Sequence, residues 1–172
     1  MGAFLSVMKP IRALIVDGHA LFLKALRAHI EGLRDLEVAG AAKDGMSALA
    51  LHRALRPELI VMNTSLPELS GLEACGRMKE RDKNVKVILY SGIGIDPCGM
   101  HKRYGADASL AQEDLFDKLP SVVKSLDSGW RSRVLRFGRD EEATDEDELL
   151  DEELERIAAA GMDPDIAKNG EP

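Results

Sequence analysis

Asp17, Asn63 and Ser91 are the residues best placed for chemistry, because each directly follows a short apolar run that is typical of a buried strand. A carboxylate can hold a cation, and a serine hydroxyl can satisfy backbone groups at a strand end. The lone pair of an amide nitrogen is delocalised, so Asn63 is not a nucleophile comparable with a carboxylate. His19 stands close to Asp17, but two ligands without a third make a poor metal site. No metal is therefore predicted.

Five apolar runs alternate with five segments of helical periodicity, and this alternation decides how those residues are positioned. It predicts an α/β fold, a doubly wound five-stranded parallel sheet with helices on both faces. Right-handed crossovers bring the carboxyl ends of the first, third and fourth strands to one edge, where Asp17, Asn63 and Ser91 should meet. The predicted strands are 11–16, 36–42, 59–62, 85–90 and 106–111, and the predicted helices are 19–33, 46–55, 72–79, a short one within 94–104, and 117–128.

Composition and charge set the domain boundaries. Residues 1–130 have a net charge of +1 and residues 131–172 a net charge of −8, which together give the −7 of the whole chain. The excess acid therefore begins near Gly129 and marks a boundary. We expect an N-terminal arm over 1–10, an α/β domain over 11–129, a linker over 130–143, and an acidic amphipathic helix with its tail over 144–172.

The targeting signals of the sequence are weak. No apolar run approaches the ~20 residues of a membrane span. The opening MGAFLSVMKP lacks a basic n-region and a small-residue cleavage site, so we read no signal peptide and expect a cytoplasmic protein without membrane contact. Two cysteines, Cys75 and Cys98, are expected to be reduced thiols.

The acidic segment contains an apolar stripe. Leu150, Leu154 and Ile157 follow i, i+4, i+7 spacing, and Leu149 widens the stripe. The pattern predicts a partner-binding helix, laid in a groove of a partner, of a second copy or of its own α/β domain; a solvated, partly helical extension is the alternative. The preceding WRSRVLRFGR is basic, but the acidity behind it opposes DNA phosphates, so no direct DNA binding is expected.

Several stretches, in this order and spacing, resemble the receiver domain of bacterial response regulators. They are IRALIVDGHALF, AAKDGMSAL, PELIVMNTSLPELSGLEA, VKVILYSG, YGADASL and SLDSGWR. The resemblance covers about residues 11–129 and is closest to receivers that precede a LuxR-type helix-turn-helix domain. About 40 residues follow, fewer than such a DNA-binding domain usually needs, so that domain is expected to be missing.

The resemblance implies a phosphoacceptor pocket, and this sequence departs from it at most positions. Family members hold Mg²⁺ with two adjacent acids, accept the phosphoryl group on an aspartate, and contact it with a hydroxyl and a lysine. An aromatic switch residue on the fifth strand accompanies them. The matching positions here are Asp17 and Gly18 for the acids, Asn63 for the acceptor, Ser91 for the hydroxyl, Gln112 for the lysine and Ser109 for the switch.

These departures remove most of the acids that would hold Mg²⁺ and the lysine that would contact the phosphate. Mg²⁺ prefers octahedral oxygen ligands including one or two carboxylates, and Gly18 and Asn63 leave only Asp17 of the usual three. Gln112 removes the cation that would pair with a phosphate. We therefore predict no phosphoryl transfer to Asn63, no cofactor and no enzymatic activity.

The predicted function is that of an atypical, pseudo-receiver module of two-component-type signalling, which regulates through protein contacts without phosphorylation. Its partner would be a kinase, a regulator or a second copy of the chain. The face of the fourth helix, fifth strand and fifth helix, which relatives use for dimers, would contribute contacts. Two alternatives stay open: a receiver phosphorylated at an unorthodox residue such as Asp17, and an acidic decoy that occupies a basic, nucleic-acid-binding surface of a partner.

Three further expectations concern single side chains. Asp17 should be a structural turn acid or the cap of the helix that starts near His19. Asp117 should cap the fifth helix, so that Pro120 falls in a first turn whose N–H groups lack partners anyway. Lys86 should be a solvated charge at the edge of a strand.

Overall fold

The computed structural model describes residues 9–92 and 99–127. Strands and helices alternate through this part of the chain, as the sequence predicts. In order they are β1 (Ile11–Val16), α1 (Ala20–Glu31), β2 (Leu36–Ala42), α2 (Gly45–Leu55), β3 (Leu59–Asn63), α3 (Gly71–Arg81), β4 (Lys86–Ser91), α4 (Met100–Arg103), β5 (Ala108–Ala111), a 3-10 turn (Gln112–Asp114) and α5 (Leu115–Asp127).

The five strands form one parallel sheet in the order β2-β1-β3-β4-β5. The order reverses between β1 and β3, which is the switch point where open α/β sheets place their sites. The doubly wound parallel sheet is therefore confirmed, and β1, β3 and β4 end side by side.

Strands that are buried on both faces explain the continuous apolar runs. Along β3, Ile60 and Met62 belong to the core cluster under α2 and α3, whereas Leu59 and Val61 belong to the cluster under α1 and α5. Because successive side chains point to opposite faces, each strand contributes to both cores. The sheet is thereby held rigidly from both sides.

The helix starts differ in how they are capped. Asp44 accepts a hydrogen bond from Ser47 N at the start of α2, and Ser70 and Glu73 bond reciprocally at the start of α3. At α1 the N-cap is His19, which makes no side-chain cap. The cap role expected for Asp17 is therefore wrong, and its role as a turn acid is described below.

β5 begins later than predicted and α5 begins earlier. β5 begins at Ala108 rather than at residue 106. The chain enters α5 through the 3-10 turn, so the helix has already begun at Leu115 and Asp117 lies within its first turn. The prediction that Asp117 is the N-cap is wrong for this reason. Pro120 consequently lies inside the helix, where it removes an i→i−4 hydrogen bond.

Other predicted segments lie outside the described residues. They are most of the arm (residues 1–8) and residues 93–98. The linker and the acidic helix, with Leu149, Leu150, Leu154 and Ile157, lie beyond Asp127 and are also outside the described residues. The domain limits remain predictions there. Within residues 9–92 and 99–127, no helix combines the length and the apolar character that crossing a bilayer requires.

Candidate functional site

Asp17 is the centre of the candidate site, and its carboxylate is enclosed by hydrogen-bond donors. The residue is 1% exposed. Oδ1 accepts a bond of 2.7 Å from the backbone N–H of His19. Oδ2 accepts two bonds, 2.6 Å from the Tyr90 hydroxyl and 3.1 Å from Nδ2 of Asn63. We call Asp17, Asn63 and Tyr90 the pocket network.

Strand order and register bring the pocket network together. β1 and β4 both pair with β3, and Asn63 is the direct register partner of Tyr90. Val16 pairs with Met62, which places Asp17 beside Asn63 one residue further on. Tyr90 belongs to the core under α1 and α5. By the two-residue period of strands, Asp17 and Asn63 project towards the same face.

Asn63 is held in one orientation. Its Oδ1 accepts the backbone N–H of Ser65 at 2.9 Å, so its NH₂ group must face Asp17. The residue is 7% exposed. Gly71 permits the close packing of this loop, because a Cβ there would overlap the carbonyl oxygen of Asn63. Asn63 therefore bonds across the pocket to Asp17.

Tyr90 is the functional residue that the sequence analysis missed. Burial raises the pKa of its hydroxyl above the ordinary value, and the hydrogen bond to Asp17 raises it further. Its ring packs 5.6 Å from that of Phe22 on α1. A buried tyrosine hydroxyl usually needs a partner, and Tyr90 stands at the end of a strand beside two other site residues. That combination is the signal that could have identified it.

The pocket does not fit Mg²⁺. Metal ions bind lone pairs, but both oxygens of Asp17 accept protein donors, and the amide of Asn63 presents hydrogens to the carboxylate. The side chain of His19 is 89% exposed and its Nδ1 lies 3.5 Å from Oδ1 of Asp17. In the part of the chain that the structure describes, no group of three or more His, Cys, Asp or Glu could hold a metal ion.

The other predicted pocket residues lie around this network. Ser91 ends β4 and is paired with Ala111. Oε1 of Gln112 would lie 3.1 Å from a Cβ placed on Gly92, so this side chain stands over the residue after Ser91. A Cβ on Gly18 would meet Cδ of Pro67 at 3.4 Å, an ordinary contact. A side chain at this position could therefore begin without a clash at its Cβ.

Ser109, the predicted switch position, is joined to α4. Its Oγ lies 3.3 Å from Nδ1 of His101. A small hydroxyl with a neighbour on α4 cannot reproduce the in-and-out rotation of a large aromatic ring. The site thus lacks the bulky element through which the resemblance implies a response to phosphorylation.

Asp107 is the centre of a second polar cluster, which lies at the opposite edge of the sheet. Asp107 precedes β5 and accepts bonds from Lys79 Nζ at 2.7 Å, Lys86 Nζ at 3.0 Å and Val87 N at 2.9 Å. Burial alone would raise the pKa of Asp107, but these bonds hold it below the ordinary value. Lys86 is 23% exposed and paired, so its expected role as a solvated edge charge is wrong.

Comparison with known families gives a single result. The model of the response regulator receiver domain matches residues 13–109. The transcriptional regulatory protein MctR of Rhizobium johnstonii is 32% identical over 123 residues, which are 69% of this chain and 56% of MctR. The chemotaxis protein CheY of Thermotoga maritima is 34% identical over 83 residues, which are 48% of this chain and 68% of CheY.

Solved structures agree on the fold. The response regulator domain of Thermotoga maritima CheB superposes with a TM-score of 0.62 at 25% identity, covering 72% of this chain and 98% of that one. A LuxR-family response regulator from Aurantimonas gives 0.66 at 21% identity, covering 70% and 87%. The chain spans about half of MctR and 33% of a protein-glutamate methylesterase/protein-glutamine glutaminase from Methanospirillum hungatei.

Proposed function

The chain belongs to the response regulator receiver family, and from that premise we propose that it is a pseudo-receiver. It is a receiver of two-component signalling that works through protein contacts and does not carry a phosphoryl group. The proposal rests on the pocket network rather than on the fold, because one fold hosts many functions and the function depends on the site.

One observation supports this proposal above the others: Nδ2 of Asn63 donates to Oδ2 of Asp17 at 3.1 Å. A phosphoacceptor must present a nucleophilic oxygen to the donor, and this position presents an amide nitrogen with a delocalised lone pair. The same bond, together with the one from Tyr90, occupies the carboxylate oxygen that a metal would need. Acceptor and metal site are thus lost through one arrangement.

The pocket network also opposes the alternative of phosphorylation on Asp17. That residue is 1% exposed, and each of its oxygens accepts at least one bond from the protein. In-line attack on a phosphorus atom would require breaking these bonds and admitting a phosphodonor between buried strands. The enclosed carboxylate is better suited to holding β1, β3 and β4 in one arrangement.

The partners of such a module are proteins. The proposed contacts are the face of α4, β5 and α5 and the apolar stripe of residues 149–157. On that face the β5 residues Ala108, Ser109 and Leu110 are only half-buried. The acidic decoy rests on the −8 charge of residues 131–172. Deleting residues 140–172 would then abolish partner binding while the receiver stays folded, and binding that survives the deletion would rule the decoy out.

Intact-mass spectrometry after incubation with acetyl phosphate and Mg²⁺ tests the proposal. The chain should show no added phosphoryl group under conditions that label the CheY of Thermotoga maritima. A matched positive variant combines Gly18→Asp, Asn63→Asp and Gln112→Lys, and it should gain the adduct. An adduct on the unaltered chain that disappears in Asn63→Ala would overturn the proposal, and one that disappears in Asp17→Asn would establish the unorthodox acceptor.

A further inference from the structure

The outer surface of α1 contains an apolar stripe that the core does not use. Leu21 is 84% exposed and is the one large apolar side chain exposed among the described residues. Ala25 and Ala28, four and seven residues further on, are exposed too. These three residues lie along one side of the helix, and we call them the α1 stripe.

The α1 stripe is separate from the buried side of the same helix. Leu23, Leu26 and Ile30 fill the core towards the sheet. No acidic residue occurs between Ala20 and Ala28, and Lys24 lies beside the stripe. Nε of Arg27 donates to Glu31 at 2.8 Å, so this pair has no net charge. The surface is therefore apolar along its middle, with the formal charge of Lys24 beside it, and it can accept an apolar helix with acidic residues on its flank.

One segment of this chain has that composition. Leu150, Leu154 and Ile157 recur at i, i+4, i+7, and the residues between Thr144 and Arg156 include eight acids and no bases. This segment would be marginally helical alone, because short helices depend on packing against an apolar surface. It lies beyond Asp127, the last residue of α5.

We propose that residues 144–157 form a helix that lies along the α1 stripe of the same molecule, with Leu150, Leu154 and Ile157 against Leu21, Ala25 and Ala28. The two alanines have short side chains, so the helix axes can approach closely above them. One acidic flank then faces Lys24. The inference rests on the proposed function, in which this segment is a regulatory contact.

The connection is long enough for this arrangement. Residues 128–143 can span about 50 Å when extended, whereas α1, with 12 residues, is about 18 Å long. α5 already packs beside α1, since the rings of Phe22 and Phe116 lie 5.6 Å apart. Tethering gives an effective concentration of order millimolar, so a contact with a dissociation constant well below a millimolar is mostly formed.

Docking on α1 would also occupy the start of that helix. α1 begins at Ala20, and Leu21 lies in its first turn. The segment would compete with any other protein that contacts this end of α1.

Hydrogen–deuterium exchange of the full chain tests the inference, with amides 146–157 as the readout. These amides should exchange at least about tenfold more slowly than unstructured ones, because an amide in a packed helix exchanges only when the helix opens. Leu21→Glu should remove that protection, since it places a charge in the stripe. Ala54→Glu is the matched control, because Ala54 is exposed on α2, and it should retain the protection. Leu154→Glu should have the same effect as Leu21→Glu from the other side.

Three outcomes would overturn the inference. They are absence of protection in the unaltered chain, protection that survives Leu21→Glu, and protection that grows with protein concentration, which would indicate a second copy. No phosphodonor or Mg²⁺ is present in this experiment. A failure here therefore leaves the proposed lack of phosphorylation untouched, and a phosphorylated chain would leave this test unchanged.

Discussion

Two hydrogen-bonded aspartates lie at opposite edges of the sheet: Asp17 is buried and Asp107 is partly buried. Asp17, at the carboxyl edge, receives a backbone N–H, an amide and a phenol. Asp107, at the amino edge, receives a backbone N–H and two ammonium groups. Each carboxylate accepts three hydrogen bonds, but the three donors to Asp17 are neutral and two of the donors to Asp107 are ammonium groups.

The difference shows where the receiver framework has changed. A buried carboxylate without a counter-charge is costly unless good donors surround it. In relatives that cost is met at the carboxyl edge by Mg²⁺, according to the resemblance. Here the neutral donors Asn63 and Tyr90 take that place, while the structural pair at the amino edge keeps its cations. The carboxylate of Asp17 is therefore part of a hydrogen-bonded network that joins β1, β3 and β4.

The largest loss of stability is expected when the hydrogen-bond donor Asn63 is replaced by an acceptor. Asn63→Asp replaces an N–H donor by a carboxylate 3.1 Å from Oδ2 of Asp17. Two buried like charges without a cation should lower the free energy of unfolding by about 3 kcal/mol. Urea unfolding at pH 7 with a chelator measures it. Asn84→Asp, at an exposed position, should cost far less, and equal losses in the two variants would contradict the account.

Removing the charge at the other edge should cost slightly less. Asp107→Asn leaves Lys79 and Lys86 without their shared counter-charge, although an amide oxygen can still accept one bond. We expect a loss of about 2 kcal/mol, measured by urea unfolding at pH 7. Asp117→Asn, an exposed acid on α5, serves as the control. A negligible effect of Asp107→Asn would show that the cation cluster is a surface feature.

The contribution of Asp107 to the free energy of unfolding should also depend on pH. The pKa of Asp107 is lowered in the folded state, so its stabilisation is present above the unfolded pKa of about 3.9 and is lost as pH falls through the folded value. The stability difference between the unaltered chain and Asp107→Asn should therefore shrink below about pH 4. Unfolding curves from pH 6 to pH 3 measure this, and a difference that widens in acid would contradict it.

The smallest effect concerns the donor that the sequence analysis overlooked. Tyr90→Phe removes the 2.6 Å bond to Asp17 and keeps the ring. Because Asn63 and His19 still donate to the carboxylate, we expect a loss of about 1.5 kcal/mol in the free energy of unfolding. Tyr104→Phe, at a half-buried position, is the matched control. A loss no greater than that of the control would remove Tyr90 from the pocket network.

The sequence predicts the sheet well because apolar runs bounded by Gly, Asn and Asp are local signals. It also predicts that Asp17 and Asn63 meet, since strand order follows from right-handed crossovers. It does not predict what they bond to. Tyr90 reaches Asp17 because of the register between β3 and β4. The pairing of Lys86 with Asp107 depends on how β4 and β5 align.

The start of α5 shows a second limit. Asp117 looks like a cap in the sequence because it precedes a periodic segment and Pro120. The 3-10 turn Gln112–Asp114 leads into a helix that begins at Leu115, and Leu115 and Leu119 are buried in the core under α1 and α5. Propensity near a helix end is a weak guide when buried side chains decide where the helix starts.

Thermal unfolding with Mg²⁺ and beryllofluoride, a phosphoryl mimic, tests the central claim most directly. A ligand at 100 times its dissociation constant stabilises the folded state by about 2.7 kcal/mol. The variant with Gly18→Asp, Asn63→Asp and Gln112→Lys should therefore unfold at a clearly higher temperature with both additives. The unaltered chain should show an unchanged midpoint, because Asn63 and Tyr90 occupy the carboxylate of Asp17. A rise in its midpoint that requires both Mg²⁺ and beryllofluoride would contradict the account.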